Sequence, residues 1–296
     1  MLPLLKRYIF FIWAQIKHPL PLWRFFNQKS IHSFKEEPLK LSKAQERILS
    51  DLQSTGIATS SLDELFDSSL LPKLQEHILQ LEKTLDTKTK KSYLLDYWKK
   101  IPPLSLEDPI MRLSLSSEIL NVVNSYLGMH SQLAFFFLQK TEVRKGKERE
   151  YSQRWHRDPQ EQRFCKVFIY LNDVDKSAGP FTYIPNSVSG KQYGNLFPQK
   201  PPAGSYPEDG ALEKAILESE HQIMTGKAGT IIFCDTTGLH RGGYATGKER
   251  IMTTFAYGAQ TFRENIAYTC TNLPYSTLSL SAQAAVQKQC ERTNSL

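Results

Sequence analysis

The spacing of apolar residues divides the chain into a helical part and a later β-rich part. Between about 42 and 128, apolar positions recur every three or four residues, most clearly over 71–85, which is typical of helices with one buried face. Asp108-Pro109 combines a capping side chain with a proline suited to the first helical turn. Because glycine commonly ends a helix, one helix is predicted from Asp108 to Gly128.

After Gly128 the pattern changes to short apolar runs separated by Gly, Pro, Asn and Ser. Runs of this length, bounded by such residues, are typical of strands joined by turns. The predicted strands are 132–138, 164–171, 179–184, 229–234 and 251–257. Because no helical pattern alternates with these strands, an antiparallel sandwich or jelly roll is favoured over a parallel α/β sheet.

These patterns predict four segments. Residues 1–40 are a basic, aromatic N-terminal segment, and 41–130 are a helical region packed on the core. Residues 131–262 form the β core, and 263–296 form a C-terminal extension. A stretch at 187–222, rich in Gly, Pro and Lys, interrupts the β pattern as an insert. Two interpretations of this insert stay open, a lid or substrate loop and an ordered surface excursion.

Composition places the chain among ordinary globular proteins. It is 40% hydrophobic and 23% charged, which suits a sizeable core. The four cysteines form no C-x-x-C pair, and this argues against a disulfide framework and a zinc ribbon. A reducing cytoplasm is therefore the expected location. Cys165 and Cys234 lie inside apolar runs, so both are expected to be buried free thiols.

The net charge of +7 is concentrated at the N-terminus. Residues 1–50 carry nine Lys and Arg but only three acidic residues, so the rest of the chain is close to neutral. Basic character of this kind does not imply a nucleic-acid partner, and none is expected. The apolar stretch within residues 1–30 is too short and too charged to span a bilayer. It is either a helix packed on the domain or a peripheral contact with an anionic membrane surface.

The strongest chemical signal is Trp155-His156-Arg157-Asp158. In a strand, residues two apart share a face, so His156 and Asp158 can point at one spot. A His-x-Asp pair alone is a weak signal, because such pairs also occur on surfaces. A second imidazole, His240, follows the apolar run 229–234. Two imidazoles and one carboxylate with open positions opposite are the ligand pattern of non-haem Fe(II) oxygenases.

The order of these residues resembles the phytanoyl-CoA dioxygenase-like family of Fe(II)/2-oxoglutarate oxygenases. The resemblance covers roughly 133–262 and includes Tyr170-Leu171-Asn172-Asp173-Val174 and the segment 179–187. It implies an α+β fold, with a double-stranded β-helix (jelly roll, cupin-like) as the core and N-terminal helices packed around it. It also implies a catalytic iron held by His156, Asp158 and His240, with Arg250 binding the far carboxylate of 2-oxoglutarate. Fe(II), 2-oxoglutarate and O2 are therefore the expected cofactor and co-substrates.

The sequence departs from the family pattern at three positions. Asn186 replaces a usual Gly, Val188 replaces a usual His, and Gly242 stands where a small or hydroxyl residue often sits. None of these positions belongs to the predicted triad. The implied reaction is hydroxylation of a C–H bond, with release of succinate and CO2. Asp158 favours hydroxylation over halogenation, because related halogenases lack this carboxylate.

Two other functions remain open at this level. One is a non-catalytic β-barrel that binds or senses through a retained metal site, and the other is a cupin-type metalloenzyme that does not use 2-oxoglutarate. Arg250 argues against the second, since a guanidinium suits a dicarboxylate co-substrate. The expected partner is a small-molecule or lipid-like substrate.

Overall fold

The computed structural model describes residues 2–17, 19–37, 39–83, 91, 93–98, 100–144, 146–202, 204–262 and 267–294. The α-helices are α1 (Leu2–Lys17), α2 (Leu20–Phe26), α3 (Gln28–Glu36), α4 (Lys43–Thr55), α5 (Leu62–Leu65), α6 (Leu70–Glu82), α7 (Pro109–Leu113), α8 (Ser117–Leu127), α9 (Ala211–Ala215) and α10 (Leu280–Asn294). The strands are β1 (Ile57–Ser61), β2 (Leu94–Asp96), β3 (Gln132–Thr141), β4 (Cys165–Tyr170), β5 (Phe181–Tyr183), β6 (Gln222–Met224), β7 (Thr230–Asp235), β8 (His240–Arg241) and β9 (Arg250–Gly258).

The strands form two antiparallel sheets that face each other. The larger sheet has the order β1-β7-β4-β9-β3-β2, and the smaller has the order β6-β5-β8. An isolated antiparallel bridge between His156 and His240 extends the smaller sheet by one position. This arrangement, with helices packed on the larger sheet, confirms the predicted double-stranded β-helix core and the α+β class.

Alternate residues of β4 serve the two sides of the larger sheet. Val167 and Ile169 belong to the main core with the helices, whereas Phe168 and Tyr170 pack toward the smaller sheet. Because side chains alternate along a strand, Lys166 shares the inner face with Phe168. Both line the cavity between the sheets. Lys166, a single charged residue in the apolar strand β4, therefore points into the cavity between the two sheets.

All five predicted strands are present, as β3, β4, β5, β7 and β9. Four more were not predicted, namely β1, β2, β6 and β8. Two of them, β1 and β2, lie in the region expected to be helical, and both are outer strands of the larger sheet. Their main chains pair with β7 and β3 although their own apolar patterns are short. Pairing with a neighbouring strand therefore makes β1 and β2 extended, although the spacing of their own apolar residues does not predict strands.

The helix expected from Asp108 to Gly128 is two helices. Asp108 caps α7 as predicted, since its side chain accepts from the main-chain N–H groups of Ile110 and Met111. The break falls at 114–116, where Ser114 Oγ donates to the Met111 carbonyl at 2.6 Å. Hydroxyls of this kind compete with main-chain hydrogen bonding. Gly128 then ends α8 in the left-handed conformation, with φ of 70°.

The cysteines follow the expectation only in part. Cys165 and Cys234 are buried and free, as predicted. Cys270 and Cys290 form a disulfide that ties the segment before α10 to the last turns of that helix. The sequence separation of 20 residues gave no indication of this bridge.

Helix α1 contacts the protein through one narrow side. Ala14 is buried and Phe10 and Phe11 are half-buried, while most other apolar side chains of the helix are exposed. Among the described residues, no helix is both long enough and apolar enough to cross a membrane.

Candidate metal centre

The structure brings His156, Asp158 and His240 together at the inner end of the smaller sheet. His156 and His240 exchange two main-chain hydrogen bonds, with N···O distances of 2.9 and 3.0 Å. The main-chain N–H of Asp158 donates to the carbonyl of Thr236 at 2.8 Å, so this segment stays extended beside the turn before β8. The side chains of His156 and Asp158 therefore share a side, although the segment forms only an isolated bridge rather than the expected strand.

The potential ligand atoms of these three residues lie within 4.8 Å of one another. His156 Nε2 lies 4.0 Å from Asp158 Oδ1, and His240 Nε2 lies 3.8 Å from Asp158 Oδ2. The centroids of the two imidazole rings are 4.2 Å apart. An arrangement of this size can hold one metal ion on one side and leave its other side to small ligands.

Each imidazole is fixed by a carbonyl two residues earlier in the chain. His156 Nδ1 lies 2.8 Å from the Arg154 carbonyl oxygen, and His240 Nδ1 lies 3.0 Å from that of Gly238. Because a carbonyl oxygen only accepts, Nδ1 must carry the proton in both rings. Nε2 of each ring is then free to donate its lone pair, which is the usual way a metal-binding histidine is oriented.

The protonation states suit a divalent metal. Burial lowers the pKa of both imidazoles, and that of His240, which is also lowered by His156, falls to about 3. Burial alone would raise the pKa of Asp158, but Lys166 and the two imidazoles outweigh it and hold that pKa well below its usual range. At neutral pH the site therefore presents two neutral imidazoles and one carboxylate.

Lys166 is a member of the site that the sequence analysis missed. Its Nζ lies 2.6 Å from Asp158 Oδ2, and the side chains of both residues are largely buried. The ammonium group also lies 5.5 Å from the ring centroid of Phe135 and 5.6 Å from that of Phe164. The available signal was a single charge inside the apolar run of β4, on the face that alternation turns inward.

The triad opens into a cavity of about 430 Å³ between the two sheets. Its walls are partly apolar, with contributions from alternate residues of β3 and β9. The apolar lining residues are Leu94, Phe135, Phe137, Phe168, Phe181 and Met252. Rings and aliphatic chains around a polar centre are typical of a cavity that takes a small organic molecule.

Arg250 lines the same cavity and is buried. One Nη donates to the carbonyl of Gly179, and the other lies 3.4 Å from Thr141 Oγ1. Nε is buried without a hydrogen-bond partner, and among the described residues the titratable groups that act on this guanidinium are the phenols of Tyr170 and Tyr93 rather than a carboxylate. A buried cation in this state is suited to an anionic ligand.

The main chain near Arg250 needs two glycines. Gly179 has φ of 68°, and a Cβ on Gly243 would overlap its carbonyl group. This close approach lets the Gly179 carbonyl reach the Arg250 guanidinium. The second glycine of the pair after His240, Gly243, is therefore required by this close approach to Gly179.

Two further polar side chains in the cavity, those of Lys91 and Tyr93, come from outside the predicted β core. Lys91 Nζ donates to Ser152 Oγ at 3.0 Å, and the hydroxyl of Tyr93 lies 3.1 Å from the same oxygen. All three residues line the cavity. Burial lowers the pKa of Lys91, and Lys166 lowers it further. No motif in the sequence singled these residues out.

The residues between and beside the triad members hold the insert 187–222 in place. Arg157 stands between two members of the triad, and its side chain is buried with the guanidinium donating to main-chain carbonyls. The accepting residues are Ser187, Tyr193, Leu196 and Thr237. Arg154 pairs with Asp209 of the insert at 3.0 Å. The insert is therefore anchored beside the site.

One side chain of the insert reaches the site itself. The ring of Tyr206 lies 5.8 Å from that of His156 and 5.0 Å from the guanidinium of Arg154. His221, at the end of the insert, packs 5.2 Å from the Trp155 ring and lines a separate surface depression. It does not line the central cavity.

None of the departures from the family pattern replaces a residue of the triad. Asn186 has φ of 60°, a conformation that glycine adopts freely and asparagine tolerates. This explains how it can stand in place of the expected glycine. Gly242 lines the cavity and donates its main-chain N–H to the Ser152 carbonyl at 2.6 Å. Ser152, which accepts this hydrogen bond, also lines the cavity and carries a hydroxyl group.

Solved structures show the same fold. The epimerase SnoN, in complex with Fe3+, alpha ketoglutarate and nogalamycin RO, is 18% identical to this chain with a TM-score of 0.54, and the match covers 75% of this chain and 86% of SnoN. EctD from S. alaskensis, with 2-oxoglutarate and 5-hydroxyectoine, is 18% identical with a TM-score of 0.52, covering 76% and 78%. HygX from Streptomyces hygroscopicus, with nickel, 2-oxoglutarate and hygromycin B bound, is 17% identical with a TM-score of 0.50, covering 76% and 90%.

At these identities the likeness establishes the fold class, a double-stranded β-helix shared with proteins whose structures hold iron or nickel and 2-oxoglutarate. The sequence matches no protein-family model and no curated protein.

Proposed function

We propose that this protein is an Fe(II)- and 2-oxoglutarate-dependent oxygenase that oxidises a C–H bond of a small-molecule or lipid-like substrate. The order of its motifs also supports a place near the phytanoyl-CoA dioxygenase-like family. The observation that carries the proposal is that the triad and Arg250 line one cavity. The ligand atoms of the triad lie within 4.8 Å, and the buried Arg250 has an Nε without a partner.

The donor set fits a ferrous ion. His156 and His240 would hold it through Nε2, because Nδ1 of each ring is bonded to a carbonyl. Asp158 would bind through a carboxylate oxygen while Lys166 remains close to the carboxylate. Three protein ligands leave positions for the co-substrates.

The remaining residues would orient the co-substrate and exclude water. Arg250 would meet the far carboxylate of 2-oxoglutarate with charge-assisted hydrogen bonds, helped by the hydroxyl of Thr141. The ring of Phe181, 5.7 Å from that of His240, and the neighbouring Phe168 would hold the substrate in a dry, apolar wall. The chemistry supplied by the bound group is oxidative decarboxylation of 2-oxoglutarate to succinate and CO2, coupled to oxidation of the substrate.

The test is an anaerobic optical titration of the protein with Fe(II) and then 2-oxoglutarate. We expect a metal-to-ligand charge-transfer band in the intact protein and its loss in His156→Ala. His32→Ala, which changes an exposed imidazole on α3, is the matched control and should keep the band. Absence of the band in the intact protein would overturn the proposal.

The same experiment separates the two alternatives. A cupin-type metalloenzyme would bind the metal without developing the band when 2-oxoglutarate is added. A non-catalytic sensor would develop the band, yet it would release no succinate on admission of O2 with any member of a metabolite library. A substrate that stimulates succinate release and gains one oxygen atom would support hydroxylation in particular.

A further inference from the structure

The outward side of the N-terminal helices is apolar, which is the reverse of an ordinary surface helix. Ten of the nineteen large hydrophobic side chains that are exposed in the described residues fall within 4–26. They are Leu4, Leu5, Tyr8, Ile9, Ile12, Trp13, Ile16, Leu22, Phe25 and Phe26. Contiguous exposed apolar patches are rare on monomeric proteins and mark interaction surfaces.

Helical geometry shows how the two sides of α1 divide. At about 100° per residue, the positions of Phe10, Phe11 and Ala14 fall on one side, and the structure turns these three side chains inward. The seven exposed apolar residues of α1 occupy the opposite half of the circumference. Six of them are about half exposed or more, with Ile9 at 57% and Ile12 at 58%. This half of the helix is not used in packing the fold.

The positive charge of the N-terminal helices indicates the kind of partner that this surface can bind. Residues 1–35 contain six Lys and Arg and no acidic residue. Lys6, Arg24, Lys29 and Lys35 are all exposed beside the apolar side chains. A shallow groove next to α2 and α3 is lined by Arg24, Lys29, Lys35 and Arg163, and no Asp or Glu appears in its described lining.

We infer that α1, α2 and α3 form a docking surface for an anionic lipid bilayer. The apolar half of α1 would lie in the interface between headgroups and acyl chains, and the basic side chains would contact phosphate groups. Trp13 and Tyr8 are residue types favoured at this depth. A symmetric pair of copies would instead place two cationic surfaces together with no acid in 1–35 to offset them.

The docking surface also touches the insert beside the metal centre. A guanidinium nitrogen of Arg7 lies 3.7 Å from the position that a Cβ on Gly204 would occupy. Arg7 is also within electrostatic range of the Tyr206 phenol, whose ring approaches His156. Docking would therefore bring the insert close to the bilayer.

The test is co-sedimentation of the full chain with vesicles of phosphatidylcholine alone and of phosphatidylcholine mixed with phosphatidylglycerol. We expect binding to the anionic vesicles and much weaker binding to the neutral ones. Lys6→Glu with Lys29→Glu should weaken partitioning by about tenfold or more, since each basic residue near the surface contributes about 1 kcal/mol. The matched control, Lys73→Glu with Lys191→Glu, changes two exposed lysines elsewhere and should leave binding unchanged.

A second pair of variants tests the apolar contribution. Ile9→Ser with Ile12→Ser should reduce binding at least tenfold, whereas Leu217→Ser with Leu280→Ser, which changes two exposed leucines elsewhere, should not. Circular dichroism melting checks that each variant is folded. Failure of the intact chain to bind anionic vesicles would overturn the inference. A dimer in solution that Ile9→Ser with Ile12→Ser dissociates would also overturn it, because the occupant would then be a second copy.

Discussion

The ammonium group of Lys166 lies 2.6 Å from Oδ2 of Asp158 and neutralises the acidic member of the triad. The pair is largely buried, so each charge depends on the other for its stability. A metal ion at this site would supply positive charge to the same carboxylate. In the metal-free protein, the carboxylate of Asp158 is therefore already balanced by an internal cation.

Lys166→Met is expected to destabilise the metal-free protein by about 3–5 kcal/mol, because Asp158 would be left as an uncompensated buried charge. A divalent ion should restore much of this loss, so the rise in melting temperature on addition of Ni(II) should be larger in the variant than in the unmodified protein. Lys227→Met, which removes an exposed partner of Asp173, is the control and should change neither quantity appreciably. An equal Ni(II) effect in both proteins would contradict the idea that Lys166 substitutes for the ion.

The metal-free protein should lose stability as the pH falls below about 6.5. The unfolded chain takes up protons on its imidazoles near that pH, whereas burial keeps the pKa of His156 lowered and that of His240 at about 3 in the folded state. The unfolded state therefore binds more protons in this window, and stability decreases with decreasing pH. Each imidazole contributes a slope of up to about 1.4 kcal/mol per pH unit.

Denaturant unfolding between pH 7 and pH 5 measures this slope. His240→Gln should show a shallower dependence, because one of the two buried imidazoles has gone. A slope unchanged by the substitution would mean that His240 is protonated equally in both states.

Arg250→Met should weaken 2-oxoglutarate binding without weakening metal binding. Loss of charge-assisted hydrogen bonds worth about 1.5–3 kcal/mol corresponds to about a 10- to 150-fold higher Kd. Titration of the charge-transfer band gives the Kd for the co-substrate, and calorimetry with Ni(II) gives that for the metal. A parallel loss of both would place Arg250 in the support of the triad rather than in co-substrate binding.

Arg157→Gln should free the insert 187–222 from the core. The guanidinium donates to the carbonyls of Ser187, Tyr193, Leu196 and Thr237, and glutamine cannot reach all of them. We expect a loss of about 3 kcal/mol or more in the free energy of unfolding and faster proteolytic cleavage within the insert. Arg154→Gln, from the same motif but partly exposed and paired with an exposed Asp209, is the control and should change both measurements less.

The sequence was sufficient for the fold class and for the residues that meet at the triad. His156 and Asp158 could be placed because a two-residue spacing constrains both side chains to one side of an extended segment. His240 could be placed because an apolar strand precedes it. These are local rules, and they hold even though the segment of His156 forms only an isolated bridge.

What the sequence did not predict depends on contacts between distant segments. Lys91 and Tyr93 reach the cavity because β2 pairs with β3, a register that no periodicity within 91–96 reveals. Arg157 reads as a polar surface residue, yet it is buried because the insert folds over it. Cys270 and Cys290 meet only because α10 folds back along the segment that precedes it. Long-range pairing decides each of these cases.

The position of His240 in the chain, 82 residues beyond Asp158, gives the triad a further role. An ion held by both would act as a reversible cross-link across that length of chain. Because the unfolded chain does not hold these two segments together, the ion would bind the folded protein and stabilise it by mass action. The melting temperature of this protein would then serve as a direct gauge of how much of it carries metal, even where no substrate is known.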